Sequence, residues 1–512
     1  MHFLLGIDAG TTSVKTGLFA LDGRCLAVER EEYTLDTPAP DIVELNPEIY
    51  WQACQKTVQS VLNQCSSDLS SGFDPSQIVA LAVSSQGETS IMLDRFSKPL
   101  RPAIVWLDNR ATVEARYLNE RYHDILYQVT GETDVIPTWT ACKILWIREN
   151  QPEIFKSTDK FLLVQDWLVY RLTGEYFTEA SVSSSSLLCD IVKYSWWDVM
   201  LDELGISERQ LPKLSRTGTV VGSLSKAAAE ELGLDPRTSV VLGGMDQTAG
   251  AVGAGNILPG MVSETTGAAL AVQISSFAHN LDPKYQIPVY RHSAPGLYLV
   301  CPFCPTAGMA FKWFRDTFGD LEMEKMDRGD RDAYDLLTDL AKEIPPGADG
   351  LLALPHLQGS VNPIYNSEAR GVFSGFSLGH KKGHFVRAIL ESVAFMLRRN
   401  LDQIHLSGIS TSEIRSSGGG AKSVLWNQIK ADVCGVPVLT LINEEAALLG
   451  NAIQAGVACG EIKSLEEGCN QMVALGNRFI PGSDQETYQL IYSRYCDLDD
   501  TLNAYYLRKT DK

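Results

Sequence analysis

Basic charge is what this 512-residue chain has least of. Its 44 Lys and Arg stand against 63 Asp and Glu, a formal net charge of −19. A protein that tracks DNA or RNA needs a basic footprint, and this surface repels a phosphate backbone, so nucleic acid is excluded as a partner. Long apolar runs are missing too. No stretch approaches the ~20 residues of a membrane-spanning helix. The opening MHFLLGIDAG meets a charge at Asp8, too early for a secretory leader. Eleven cysteines are scattered among apolar neighbours, as Cys142, Cys434 and Cys459 are, and the single Cys301-Pro-Phe-Cys304 has neither a second pair nor a His cluster beside it. That pattern argues against a zinc site and a disulfide framework, and for reduced thiols in a cytoplasmic protein. Several catalytic signatures are absent: the GxxxxGK[ST] phosphate loop, the protein-kinase HRD and DFG triplets, HExxH and GxSxG. Any nucleotide chemistry here uses some other phosphate-binding device.

What is present suits a soluble globular protein, with 45% hydrophobic and 21% charged residues. Single cores stop growing near ~250–300 residues, so the length predicts two domains, placed here at 1–250 and 251–512. Phe3 to Ile7 has strand composition, Asp8-Ala-Gly-Thr-Thr-Ser13 is turn chemistry, and Val14 to Leu21 returns as a strand. Such a hairpin tip offers backbone N–H groups and hydroxyls to a phosphate without any helix. A similar pattern recurs at Met261–Gln273 around Thr265-Thr266-Gly267. The recurrence predicts two domains of one design, with the Gly- and Ala-rich stretch 247–262 as the crossover. Buried strands at 78–83 and 239–244 each end in a polar loop, and Val386, Ile389, Leu390, Val393, Leu397, Leu401 and Ile404 make one helical face. Ser423 and Gly435 read as the N-cap and C′ residue of another helix. The fold class is α/β.

Four segments carry candidate chemistry. Asp8 with Thr11, Thr12 and Lys15 suits a phosphate and, through water, Mg²⁺; a plain hairpin turn would look similar. Asp246, after Gly243-Gly244-Met245, can take a proton from an attacking hydroxyl, or can simply open an Asx turn. Ser417-Gly-Gly-Gly-Ala-Lys422 runs into a helix N-terminus, compatible with a nucleotide or with a flexible loop. Gln86-Gly87-Glu88-Thr89, with Trp106-Leu-Asp108-Asn-Arg110, suits a polyol whose C–H face lies on the ring.

Taken in order over residues 3–475, these segments resemble the FGGY family of carbohydrate kinases, within the sugar kinase–actin ATPase superfamily. Gly6-Ile-Asp8-Ala-Gly-Thr-Thr12 is similar to its first phosphate motif, Trp106-Leu-Asp108-Asn-Arg110 to its sugar-side WxDxR, Gly243-Gly-Met-Asp246-Gln247 to the xylulokinase pattern, and Gly418-Gly-Gly-Ala-Lys-Ser-Val-Leu-Trp426 to its adenosine motif. The resemblance implies two actin-like, ribonuclease H-like domains around an interdomain active-site cleft, and transfer of the γ-phosphate of ATP, with Mg²⁺, to a hydroxyl of a small ketose or polyol. It makes Asp246 the general base and Asp8 the carboxylate near magnesium. It places Thr11, Thr12, Lys15 and Thr266 on the phosphates and Gly308, Lys312, Gly419 and Gly420 along the nucleotide. Gly87, Glu88, Trp106, Asp108, Thr138 and Gln247 fall on the sugar. Glycerol kinases carry arginine at the position of Gly87 and tyrosine at that of Thr138, and xylulokinases carry histidine at that of Glu88. The implied pocket is therefore larger and more acidic, suiting xylulose or another four- or five-carbon substrate better than glycerol. An actin- or chaperone-like ATPase and a catalytically inactive sugar sensor are the alternatives. The first has no need of the sugar-side motif, and the second has no need of Asp8 and Asp246. A homodimer is the default assembly for such a chain, with no self-complementary patch legible in the sequence.

Overall fold

The computed structural model describes residues 2–68, 73–277, 287–329, 331–406 and 408–510. Two mixed sheets organise it. The first contains β1 (Phe3–Ala9), β2 (Ser13–Ala20), β3 (Cys25–Glu32), β4 (Ile78–Ser85), β5 (Val220–Ser223) and β6 (Ser239–Met245). Its order is β3-β2-β1-β4-β6-β5. β1 and β2 form the predicted antiparallel hairpin, with Ala9 opposite Val14 across the tip. β4 runs parallel to β1, and β6 parallel to β4. These central strands are apolar along nearly their whole length, as strands covered on both faces must be.

The second sheet contains β7 (Met261–Thr266), β8 (Leu270–Ser276), β9 (Val289–Arg291), β10 (Tyr298–Val300), β11 (Glu413–Ser417), β12 (Val438–Leu441) and β13 (Leu475–Phe479). It runs β9-β10-β8-β7-β11-β12-β13. Here too a hairpin, β7–β8, is followed outward on one side by an antiparallel strand and on the other by two parallel strands and one antiparallel strand. Position for position from β10, the strand senses repeat those of the first sheet. The weak echo between the two Thr-containing turns is thus a structural repeat.

Seven helices shape the site and its supports: α1 (Pro47–Asp68), α2 (Thr140–Asn150), α3 (Asp246–Gly253), α4 (Gly308–Phe318), α5 (Lys382–Leu406), α6 (Val424–Cys434) and α7 (Ala446–Ala458). α1 covers β2 and β3, and α5 packs on α6. Ser423 caps α6 by accepting from the Trp426 N–H, and Gly435 closes it at φ 70°, as the sequence predicted. The crossover expectation needs correcting. Much of 247–262 is not a linker, because Gln247 to Gly253 continue α3, which packs against α7 between the sheets. The small residues serve that packing. A Cβ on Gly253 would stand 1.7 Å from Ala446 O, and one on Gly450 would stand 1.9 Å from Ala249 O. α7 follows β12 in the second half of the chain, yet it lies on β1, where a Cβ on Gly6 would meet Leu448 O at 2.2 Å. Asn451 donates to Ile7 O (2.8 Å) and Ser84 Oγ (2.7 Å), and Gln454 donates to Gly243 O (2.8 Å).

Candidate active site

β1, β4 and β6 all end at the same edge, and their ends carry the first group of functional side chains. Asp8 sits opposite Lys15 in the hairpin and beside Ser84 of β4. Its Oδ1 accepts from Ser84 Oγ at 2.6 Å. Burial raises the Asp8 carboxyl above its ordinary range, opposed by the Ser84 hydroxyl and by Lys15. Asp246 follows the end of β6 as the first residue of α3, where the aligned N–H groups favour negative charge. The Gln247 N–H donates to its Oδ1 at 2.8 Å. Burial drives the Asp246 carboxyl well upward, and the charges of Asp8 and then Glu88 push the same way. Asp246 therefore lies in the field of both Asp8, on β1, and Glu88, in the loop after β4.

Glu88 is held in the left-handed region at φ 55°. The Thr140 hydroxyl and the Lys143 ammonium, both on α2, donate to its carbonyl oxygen at 3.2 and 3.0 Å. Burial raises the Glu88 carboxyl, with Ser185 and Lys143 pulling it down. Lys143 is itself buried, which lowers its ammonium to about 7 against the pull of Glu88 and Asp108. Gly87 lies so close to Ser185 that a Cβ there would be 2.7 Å from its Oγ. A side chain here would require the Ser185 hydroxyl to move aside. Trp106 ties the first hairpin to the loop after β4: its indole N–H donates to Thr11 Oγ1 at 2.9 Å, and its backbone N–H to Thr89 Oγ1 at 3.1 Å. Gln247 is exposed, and Thr12 is exposed at the hairpin tip. Thr138 is half-buried in the loop before α2.

Two side chains turn inward, and a third is held in an ion pair. Asp108 does not face a substrate. It is fully enclosed, and both its oxygens are taken, by the Arg110 guanidinium (2.8 and 2.7 Å) and by the backbone N–H groups of Arg110 and Val43. It positions Arg110, which also reaches Glu44 and lies over the Trp146 ring. Thr266 likewise points inward: its hydroxyl donates to Glu264 and accepts from the Lys430 ammonium at 2.9 Å. Lys15 is engaged by both oxygens of Glu445, at 2.8 and 2.6 Å, just before α7.

The second hairpin meets the glycine loop. A Cβ on Gly418 would stand 3.0 Å from Thr266 O, and one on Gly420 2.7 Å from Thr266 Cβ, while Gly419 is open to solvent. Gly308 begins α4 against Gly267, to whose oxygen its N–H donates at 3.0 Å. Lys312, exposed on α4, pairs with Asp316. Beneath the hairpin is a group that motif reading passed over. Lys430 and Glu264, both at 0% exposure, form an ion pair at 2.6 Å, with Ser416 and Thr266 also on Glu264. A lysine mid-helix and a glutamate mid-strand carry no local signal for this. Glu132, Tyr290 and Glu445 were missed for the same reason.

A repeated sheet, two Thr-bearing hairpins and a carboxyl-lined edge between them define a phosphotransferase of actin-like ATPase architecture. The chain belongs to the FGGY family of carbohydrate kinases: it matches that family's N-terminal domain over residues 3–253 and its C-terminal domain over residues 261–459. It is therefore a kinase acting on a sugar hydroxyl, with ATP as the second substrate. It is 30% identical to a xylulose kinase of Bacillus subtilis (strain 168), covering 99% of each chain. It is also 30% identical to a gluconokinase of that organism, covering 99% of this chain and 98% of the other. Among solved structures, a xylulose kinase from Rhodospirillum rubrum superposes at a TM-score of 0.89 and 27% identity, over 99% of this chain and all of that one. No helix among the described residues is long and apolar enough to cross a membrane.

Proposed function

We propose that this protein transfers the γ-phosphoryl group of ATP to a hydroxyl of a small, uncharged ketose or polyol, with xylulose or another four- or five-carbon compound as the substrate, at a cytoplasmic address. The observation that carries this is the placing of Asp246, the first residue of α3, within the field of Asp8 and Glu88. The similarity to xylulose kinases supports the substrate class. The two family matches support a division near residue 250.

The sugar lies against Trp106 and Glu88, with Gln247 and Thr138 at its rim. Asp246 accepts the proton as the hydroxyl attacks phosphorus; a carboxyl raised by burial and by two neighbouring charges is a stronger base than a free one. Thr11, Thr12 and the tip N–H groups of the first hairpin hold the transferred group, and Gly308, Gly419 and Gly420 border the nucleotide. Mg²⁺, when bound with ATP, neutralises charge on the phosphates. Asp8 fits it through water, because its second oxygen is free of hydrogen bonds to protein groups among the described residues. Among the described residues no group of three or more acidic, His or Cys side chains could hold a metal, and an ion carried on nucleotide phosphates needs none.

ADP release with and without sugar separates this reading from a sugar-independent ATPase. Asp246→Asn is expected to lower kcat by at least ~10²-fold with the KM of ATP nearly unchanged. The wild type should lose kcat/KM on acidification through the raised Asp246 pKa, at a higher pH than the ~4 of an ordinary carboxylate. An Asp246→Asn protein that keeps wild-type turnover refutes the assignment.

A further inference from the structure

Glu132 follows the helix Thr112–Thr130, whose C-cap Gly131 adopts φ 78°. The Val289 N–H donates to Gly131 O at 2.9 Å, and a Cβ on Gly131 would stand 2.1 Å from Val289 O. This loop of the first half is thereby stitched to β9, the edge strand of the second sheet. The stitching sets Glu132 beside Tyr290 of β9. Glu132 is 1% exposed, and its Oε1 has no hydrogen-bond partner. Burial raises its carboxyl strongly, the charge of Glu88 adds to this, and the Tyr290 hydroxyl opposes it. The Cys301 thiol, just past β10, is raised by burial and then by Glu132 and Asp246. Glu132 thus lies within electrostatic reach of Glu88, on a loop tied to β9 of the other half of the chain, and the next residue of β9, Arg291, donates its N–H to Ser184 Oγ.

A buried carboxyl oxygen without a partner costs stability. Replacing such a group by an apolar one of similar size is often neutral or stabilising. An unpaired buried carboxyl oxygen can be satisfied by the hydroxyl of a ligand. A chain neighbour of Glu88, Gln86, also has a buried Oε1 without a hydrogen-bond partner among the described residues.

We propose that Glu132, with Tyr290, is a recognition element of the sugar site that bonds hydroxyls of an uncharged ketose or polyol and turns away sugar acids. This rests on the kinase reading of the site. A carboxyl bonds a hydroxyl in either protonation state. An aldonate brings a negative charge beside Glu88, Glu132 and Asp246, which is unfavourable by repulsion where they are ionised and by desolvation where they are neutral, and none of the three is in an ion pair among the described residues. The ammonium of Lys143 is already committed to Glu88 O. Discrimination of this kind acts by repulsion as much as by fit.

The test is calorimetric titration of the purified full chain with xylulose, xylitol, gluconate and xylonate, alongside ADP release with each. The wild type is expected to take the uncharged pair at least about tenfold more tightly than the acids, one hydrogen bond's worth of free energy. Glu132→Leu should raise the sugar KM at least about tenfold, leave the KM of ATP within about twofold, and melt no lower than wild type. Glu132→Gln should restore most of the sugar affinity. Wild-type sugar affinity in Glu132→Leu, equal use of acids and neutral sugars, or binding of none of the four overturns the proposal. If neutral sugars bind in a Glu132-dependent way but none is phosphorylated, the recognition role stands and the kinase reading of the substrate fails.

Discussion

Gly450→Ala offers a direct test of how the fold holds the site. By helix propensity alone this substitution in the interior of α7 should stabilise by about 1 kcal/mol. The packing predicts the opposite. The new Cβ would stand 1.9 Å from Ala249 O and 2.9 Å from Gly253 N, so the contact must open to the 3.4 Å at which ordinary contact begins. α7 cannot simply retreat, because its other side is seated on β1, with Leu448 O at the Cβ position of Gly6 and Asn451 bonded to Ile7 O. α3 must therefore shift, carrying Asp246 at its first position away from Asp8 at the end of β1. Overpacking of this kind costs about 1–3 kcal/mol. A misplacement of about 1 Å at the reacting groups costs on the order of 10²-fold in rate. Gly250→Ala is the control: it lies on α3 with nothing within 4 Å of its Cβ position, and should gain up to about 1 kcal/mol with kcat unchanged. Urea unfolding and ADP release on both proteins read the two effects. If Gly450→Ala is as stable and as active as Gly250→Ala, the claim that this helix crossing positions Asp246 is wrong.

Two further outcomes arise from buried charge. Lys430→Met leaves Glu264 enclosed without its cation and should cost about 3–5 kcal/mol in urea unfolding, with Lys430→Met/Glu264→Leu recovering much of it; a silent single mutant would contradict the buried pair. Asp166, in the helix Val164–Thr173, is raised by burial to about 7. The folded state then holds a proton that the unfolded state releases, so between pH ~4 and ~7 stability falls as pH rises, by up to about 1.4 kcal/mol per unit. Asp166→Asn removes that slope, and its advantage in melting temperature over wild type should grow from pH 4 to pH 7. An advantage that is constant with pH refutes the shift.

What was legible in the sequence was local. Hairpin tips at Asp8–Ser13 and Thr265–Gly267 announce themselves by turn residues between apolar runs, and α5 and α6 by periodicity and caps, because those signals lie within a few residues of one another. Asp108 and Thr266 misled for a complementary reason. A motif marks a residue as needed without saying which way its side chain points, and here both turn inward to Arg110 and Lys430.

By itself, then, the sequence determined the α/β class and the repeated hairpins and singled out Asp8, Glu88 and Asp246 as candidates, since each follows from short-range pattern or from family resemblance. Only the tertiary structure decided that α7 crosses over to support β1, that Lys15 meets Glu445, and that Glu132 reaches Tyr290 from the other half of the chain. Those pairings span 430 residues in one case and more than 150 in the other. Long-range contacts are set by how two sheets pack around small residues, and nothing near either partner in the chain encodes them.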